Sequence, residues 1–444
     1  MRQLKIKLSF FIALGLGLAT LSGCGGWWSG PAANAVAVAP AAATLPGDET
    51  ALEAMTRFLE DRVKRDPEDF AAHNKLAACY FQRARETGSS DYLELAARAA
   101  RASLAAMPEV RNTGGLAALA QSQFSTHDFA AARDHAVRLT QLDPGKSYPY
   151  GLLGDALLEL GEYEKAAAAY RQMEGWGGGI SESTETRLAR LAQLRGDHAG
   201  AQRHFTNALV LALDLPVPPR ETVAWCRWQL GETAFATGDY ETAARHYADA
   251  LVTFPDYYRA LASLGRVSAA RGDLAGAIEH YEHAIRRLPD PAFVAALGDL
   301  YKLAGREKDA AAQYALVEQI GNLSAVKGAL YNRQLALFYA DHDMKAKEAY
   351  ANAAKEYEAR RDIYGADALA WTALKAGKIT EAQAAIKEAL RLGTRDAKLF
   401  YHAGMIAHAA GDEVAARDYL KRALALNPQF DPLQVVSARK ILEG

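Results

Sequence analysis

Four histidines in this 444-residue chain fall into a pattern that invites a metal reading. His204, His246 and His280 stand immediately before Phe205, Tyr247 and Tyr281, and His135 holds an equivalent place further back. Neutral imidazole is a common metal ligand, so a ladder of this kind would be a chain of nitrogen donors. Distance rejects it if the rungs belong to stacked helices. Equivalent positions on neighbouring helices lie about 10 Å apart, whereas a zinc–nitrogen bond is about 2 Å. His280 and His283 share one helix face and offer at most a weak surface site; a solvated face is the simpler reading. Gly145-Lys146-Ser147 has the form of the end of a phosphate-binding loop, but Thr140 stands where the first glycine is required. "GWGGG" at 175–179 lacks the strand-turn-helix setting of a dinucleotide site. The cysteines number three, Cys24, Cys79 and Cys226, with no metal-binding spacing. No Ser/His/Asp or paired-carboxylate set has a meaningful spacing. No metal, cofactor or catalytic residue is expected, and the chain reads as a non-enzyme.

The elements that carry these residues are periodic. In "WQLGETAFATGDYETAARHYADALVTFPD", Gly231, Gly238, Ala243, Tyr247, Ala250 and Pro255 mark a unit. Gly265, Gly272, Ala277, Tyr281, Ala284 and Pro289 each follow 34 residues later, and Gly298, Gly305, Ala310 and Tyr314 come 33 after those. Weaker copies contain Gly154 and Tyr170, Ala189 and Phe205, Ala370 and Ile386, and Gly404 and Leu420. The copy at 69–108 is lengthened around "ETGSSD". That at 113–144 has His127 in place of the turn glycine, and that at 329–360 is degenerate in register. Abundant alanine, 50% hydrophobic residues and few prolines beyond the N-terminal region suit closely packed helices. The formal charge of −2 and the lack of a basic block argue against a nucleic-acid partner.

This pattern resembles the tetratricopeptide repeat, a pair of antiparallel helices about 34 residues long. The resemblance implies an all-α, right-handed α-solenoid of about ten helix pairs over residues 49–430. Residues 431–444 form a C-terminal capping helix that covers the last apolar face. Small residues such as Gly231 and Ala243 lie where the two helices cross, and Tyr247 fills the space between units. Cys79 and Cys226 fall about four units apart, too far for a disulfide.

Before the array, residues 1–23 have a basic start (Arg2, Lys5, Lys7) and an apolar run, the form of a secretory signal. The run ends in "LSGC", which resembles the lipobox of bacterial lipoproteins. The resemblance implies cleavage before Cys24, lipid on its sulfur, and membrane attachment through that lipid. Two or three acyl chains make such anchoring stable. Gly25, rather than Asp, after the cysteine implies the outer membrane facing the periplasm in a double-membraned host. Residues 24–48 then read as the lipidated cysteine and a tether that carries no charge over 25–47, reaching roughly 70 Å if fully extended. Trp27 and Trp28 are either interfacial anchors or exposed linker residues.

Solenoids of this family bind along a concave groove lined by the first helix of each pair. The face opposite the packing residues carries Trp225, Trp228, Glu232 and Phe235 in the clearest unit, then Arg259 and Arg266, then Arg333, Trp371, Tyr401 and His402. Aromatic and arginine anchors are what protein interfaces favour. Trp225 and Trp228 have a second reading, as packing between adjacent first helices. The expected function is a lipid-anchored, non-catalytic scaffold that holds partner proteins or peptides at the cell envelope, in assembly of an envelope or secretion complex. The alternative is a periplasmic carrier of a small molecule or metal bound through groove aromatics and histidines.

Overall fold

A computed structural model describes Leu45 and residues 49–176, 181–326 and 332–444. Among these the secondary structure is helical, with 22 α-helices and no strand. Helix α1 (Glu49–Arg65) precedes ten antiparallel pairs. The first four are α2 (Phe70–Thr87) with α3 (Asp91–Ala106), α4 (Thr113–Ser125) with α5 (Phe129–Leu142), α6 (Ser147–Glu159) with α7 (Tyr163–Gly175), and α8 (Glu182–Leu194) with α9 (His198–Leu213). The next three are α10 (Arg220–Ala236) with α11 (Tyr240–Thr253), α12 (Tyr258–Ala270) with α13 (Leu274–Arg287), and α14 (Pro291–Leu303) with α15 (Glu307–Val326). The last three are α16 (Arg333–Asp341) with α17 (Ala346–Ala359), α18 (Ile363–Lys375) with α19 (Ile379–Ala389), and α20 (Ala397–Ala409) with α21 (Glu413–Leu426). Helix α22 (Gln434–Glu443) closes the array and buries Val435 and Ala438. Each helix packs chiefly on its neighbours in sequence, which makes an all-α solenoid.

In the fourth, fifth, sixth and tenth pairs the turn inside the pair is written as Gly-Asp. Glycine adopts the left-handed conformation that ends the first helix. The following aspartate caps the second helix. Asp197 accepts from the Gly200 amide at 2.8 Å, and Asp239, Asp273 and Asp412 accept from Thr242, Gly276 and Ala415 at 2.9–3.0 Å. Where the second pair lacks the glycine, His127 takes its left-handed place at φ 65°, its ring stacked 5.4 Å from Phe129. Burial, reinforced by the charges of Arg360 and Arg333, pushes its imidazole down to about 3. The degenerate eighth pair turns through Asp343 and Lys345, both at positive φ without glycine.

The solenoid also closes on itself. The turns of the third, fourth and fifth pairs meet the connections between the eighth pair and α22. These turns and these connections form two layers in contact. Between them, the Tyr163 Oη accepts from the Ile363 amide at 2.7 Å. Thr394 donates to the Leu194 carbonyl, and Asn427 Nδ2 donates to the Phe235 carbonyl at 2.7 Å. Arg360 pairs with Glu159 and, with Arg333, surrounds Asp362 and Glu356 in a largely buried ion network. Burial alone pushes Asp362 up, but the two guanidiniums outweigh it and hold the carboxyl below its ordinary range. Partners separated by about 200 residues in sequence thus become neighbours.

Candidate functional site: a cavity on three first helices

Consecutive units are joined through carboxylates on their first helices. A carboxylate follows the small residue of a first helix, and a tyrosine 15 residues on reaches back to it. Tyr170 donates to Asp155 at 2.9 Å, Tyr247 to Glu232 at 2.7 Å and Tyr314 to Asp299 at 2.7 Å. Close approach requires the small residue: a Cβ on Gly231 would stand 2.3 Å from the Tyr247 ring. The next unit supplies the positive or protonatable partner. Arg187 meets Asp155 at 2.7 Å, Arg266 meets Glu232 at 2.5 Å and His342 meets Asp299 at 2.7 Å.

His342 carries a pH dependence. Burial lowers its affinity for a proton, but the hydrogen bond and charge of Asp299 outweigh burial and raise it above the ordinary value. A raised folded-state pKa stabilises the fold fully below the unfolded value near 6.5, and this gain fades as pH rises through the folded value. His342→Gln should therefore lose more stability at pH 5.5 than at pH 9, by on the order of 1 kcal/mol, in urea melts at the two pH values. An equal loss at both would remove the ion pair from the account.

Between α10, α12 and α14 lies a cavity of about 280 Å³ lined by Trp228, Glu232, Tyr258, Arg259, Ser263 and Arg266, with Tyr281, Asp290, Phe293 and Gln334 completing the wall. Its side chains are held in place. The Trp228 indole donates to Ser263 Oγ at 3.0 Å, and Ser263 donates to Glu232 at 2.9 Å. The Arg259 guanidinium lies over the Trp228 ring at 5.2 Å and the Tyr258 ring at 5.1 Å. Arg266 stacks at 4.1 Å over Phe235 while it pairs with Glu232. Burial pushes Glu232 up, but Arg266 and the donors Tyr247 and Ser263 outweigh it and hold the carboxyl below its ordinary range. Burial raises Asp290, which caps α14 through the Ala292 amide at 2.8 Å.

The structure thus brings together Trp228, Glu232, Arg259 and Arg266. It corrects the placement of the other described residues read from sequence as groove-lining. Trp225, Phe235, Trp371, Tyr401 and His402 are only 0–6% exposed, so their rings belong to the interior. Trp225 packs edge-on against Phe205, with ring centroids 5.9 Å apart. Phe235 packs under Arg266 and beside Tyr240. Trp371 donates to Asp341 at 2.8 Å and stacks on His402 at 4.2 Å, and His402 meets Asp367 at 2.8 Å. Tyr401 lies against Trp371 and Phe430. Arg333 belongs to the ion network at the closure, bound to Asp362 and Glu356. Cys24 lies outside the described residues.

Sequence reading missed Tyr258, Ser263, Tyr281, Asp290, Phe293 and Gln334. Asp290-Pro291 signalled a helix start, but nothing local told that its carboxylate borders a cavity. The histidines of the ladder have separate surroundings: His204 meets Glu185, and His135 meets Gln123, each at 2.8 Å. No group of three His, Cys, Asp or Glu among the described residues is arranged to hold a metal ion. Cys79 and Cys226 are free and buried, and burial raises both thiols. No described helix is long and apolar enough to cross a membrane.

Tetratricopeptide repeat families match residues 181–252 and residues 117–178, 229–290 and 368–429. No match is found among curated proteins. Among solved structures, the chain is similar to PilW, a widely conserved type IV pilus biogenesis factor, at 17% identity and TM-score 0.40, over 46% of this chain and 91% of that one. It is similar to human IFIT1, solved as a dimer with PPP-AAAA, at 13% identity and TM-score 0.43, over 86% of this chain and 95% of that one. Similarity to the APC/C hetero-tetramer Cut9-Hcn1 stands at 13% identity and TM-score 0.33, over 89% and 93% of the two chains. With ten helix pairs, Gly-Asp turns and the repeat matches in agreement, the chain belongs to the tetratricopeptide repeat family.

Proposed function

We propose that this protein is a non-catalytic scaffold that holds a partner protein through the cavity on α10, α12 and α14, at the cell envelope and tied to the membrane by lipid on Cys24. The observation that carries the binding part is the cavity itself. It combines an indole, two tyrosines and a phenylalanine with two arginines fixed by stacking and pairing. Rigid aromatic and arginine anchors of this kind concentrate binding energy at protein interfaces. Its volume of about 280 Å³ lies at the lower edge of small-molecule sites, roughly 300–1,000 Å³, and fits an inserted side chain better than a carried ligand. No histidine lines it, which counts against the metal-carrier reading. The envelope part rests on the Leu21–Cys24 motif and the basic, apolar segment before it.

The test uses the full chain recovered from its own membranes after mild cross-linking. A protein should come with it in stoichiometric amount, and Trp228→Ala should weaken that complex at least tenfold, as expected for an interface anchor, while the melting temperature moves little. A large fall in melting temperature with the complex unchanged would make Trp228 a packing residue and remove the cavity from function. Recovery of a stoichiometric small molecule and no protein would overturn the scaffold reading. For the anchor, Cys24→Ala should abolish both acyl labelling and membrane association. A variant that stays acylated would overturn it.

A further inference from the structure

The first pair reaches across to the fifth. Arg85, in the last turn of α2, donates from Nε to Glu221 Oε2 in the first turn of α10, at 3.1 Å and across 136 residues of sequence. Beside this pair, Glu49 at the start of α1 accepts from Arg220 Nη1 at 2.8 and 2.7 Å. Into the same junction α8 brings its first residue, Glu182, whose carboxyl feels the charges of Arg85, Arg187 and Glu221.

The charges at this junction do not balance. Arg85 is engaged by Glu221 through Nε and by Gln82 through Nη2. Arg187 directs Nε and Nη2 to Asp155, and Nη1 to the Ser183 carbonyl. Each cation is matched to another carboxylate, so Glu182 is a third acid between two completed pairs. Its Oε1 is buried, and among the described residues no donor reaches it. A buried carboxylate short of donors takes up a proton rather than stay charged. Burial, reinforced by Glu221 and opposed by Arg85 and Arg187, pushes Glu182 up to about 7. Cys226 on α10 also feels Glu182, and burial raises its thiol. With α2 moved away, the Glu182 carboxyl would meet water at the start of α8, where the helix terminus favours a negative charge.

We propose that closing α2 onto α8 and α10 takes up a proton on Glu182, so that the first pair is held to the fifth in acid and loosened as the solution turns alkaline. A carboxyl that holds its proton more tightly in the closed state favours closure fully below its ordinary value of 4.5, and this gain is lost as pH rises to about 7. Opening would leave the first pair attached chiefly through the packing of α3 on α4. The device does not rest on the scaffold reading.

The test follows amide hydrogen exchange in the full chain at pH 5.5 and pH 8, each rate divided by its intrinsic value at that pH. Protection of residues 82–88 should be at least tenfold greater at pH 5.5, while α19 should show no such change. Glu182→Gln keeps the side-chain shape and removes the titration, and should hold the high protection at both pH values. Infrared difference spectra between the two pH values should contain a protonated-carboxyl band that Glu182→Gln removes. Equal protection of 82–88 at pH 5.5 and pH 8 in the parent chain overturns the proposal. A pH response that survives in Glu182→Gln also overturns it. So does the lack of a carboxyl band assignable to Glu182, because another group is then the one that titrates.

Discussion

Arg187→Met should destabilise the third and fourth pairs by about 3–5 kcal/mol, the usual cost of removing one member of a buried ion pair. The reason lies in what is left behind. Arg187 grips Asp155 with two parallel bonds, Nε to Oδ1 at 2.8 Å and Nη2 to Oδ2 at 2.7 Å, and both side chains are about 5% exposed. Tyr170 donates to the same carboxylate from α7. Without the guanidinium, Asp155 is a buried anion with a single donor, and α6, α7 and α8 lose their common tie. Solenoids unfold by neighbouring units, so the effect should be local. Hydrogen exchange should speed up across 147–194 and leave α20 and α21 unchanged. Asp155→Asn combined with Arg187→Met should recover part of the loss, because the stranded charge is gone. If the single and double variants are equally unstable, the cost comes from lost packing and not from the uncompensated carboxylate.

The contrast between this tie and the cavity explains what could be read in advance. Gly238-Asp239 and Gly272-Asp273 state the turn and the cap in two residues, so the helix pairs and their number were legible. Arg259 and Arg266, on the same helix, and Trp228 and Glu232, one turn apart on another, were legible as a face because a 3.6-residue period fixes which side chains share one. The same rule misplaced Trp371, Tyr401 and His402. A period of 34 says which way a side chain leaves its own helix, but not what the next helix lays over it. In the last units Trp371 and His402 stack on each other, and Tyr401 is covered by Phe430 from the connection to α22. Arg333 was drawn away by a different effect. Its partners Glu356 and Asp362 belong to the eighth and ninth pairs, and Arg360 from the same network reaches Glu159 some 200 residues back. Closure of a solenoid is a property of accumulated small rotations between units, so no local pattern announces it.

That closure yields the second large effect. Gly161→Ala should separate the two layers of the solenoid, whereas Gly272→Ala should not. Both glycines sit in within-pair turns at φ 77° and 82°, and an alanine in that conformation costs about 1–2 kcal/mol at either site. Their surroundings differ. A Cβ on Gly272 meets nothing within 4 Å, while one on Gly161 would stand 2.1 Å from the carbonyl oxygen of Arg361. Backbone cannot rotate aside as a side chain does, so the connection at 360–362 must move. With it go the bond from the Ile363 amide to Tyr163, the Arg391 bonds to the Gly161 and Arg361 carbonyls, and the Arg360–Glu159 pair. Small-angle X-ray scattering should show a larger radius of gyration for Gly161→Ala and an unchanged one for Gly272→Ala. Hydrogen exchange should rise at 360–366 and 393–396 in the first variant alone. The comparison holds backbone strain constant and varies only the contact between layers. Equal behaviour of the two variants would mean that the layers touch without holding each other, and that the solenoid keeps its curvature from neighbouring units alone.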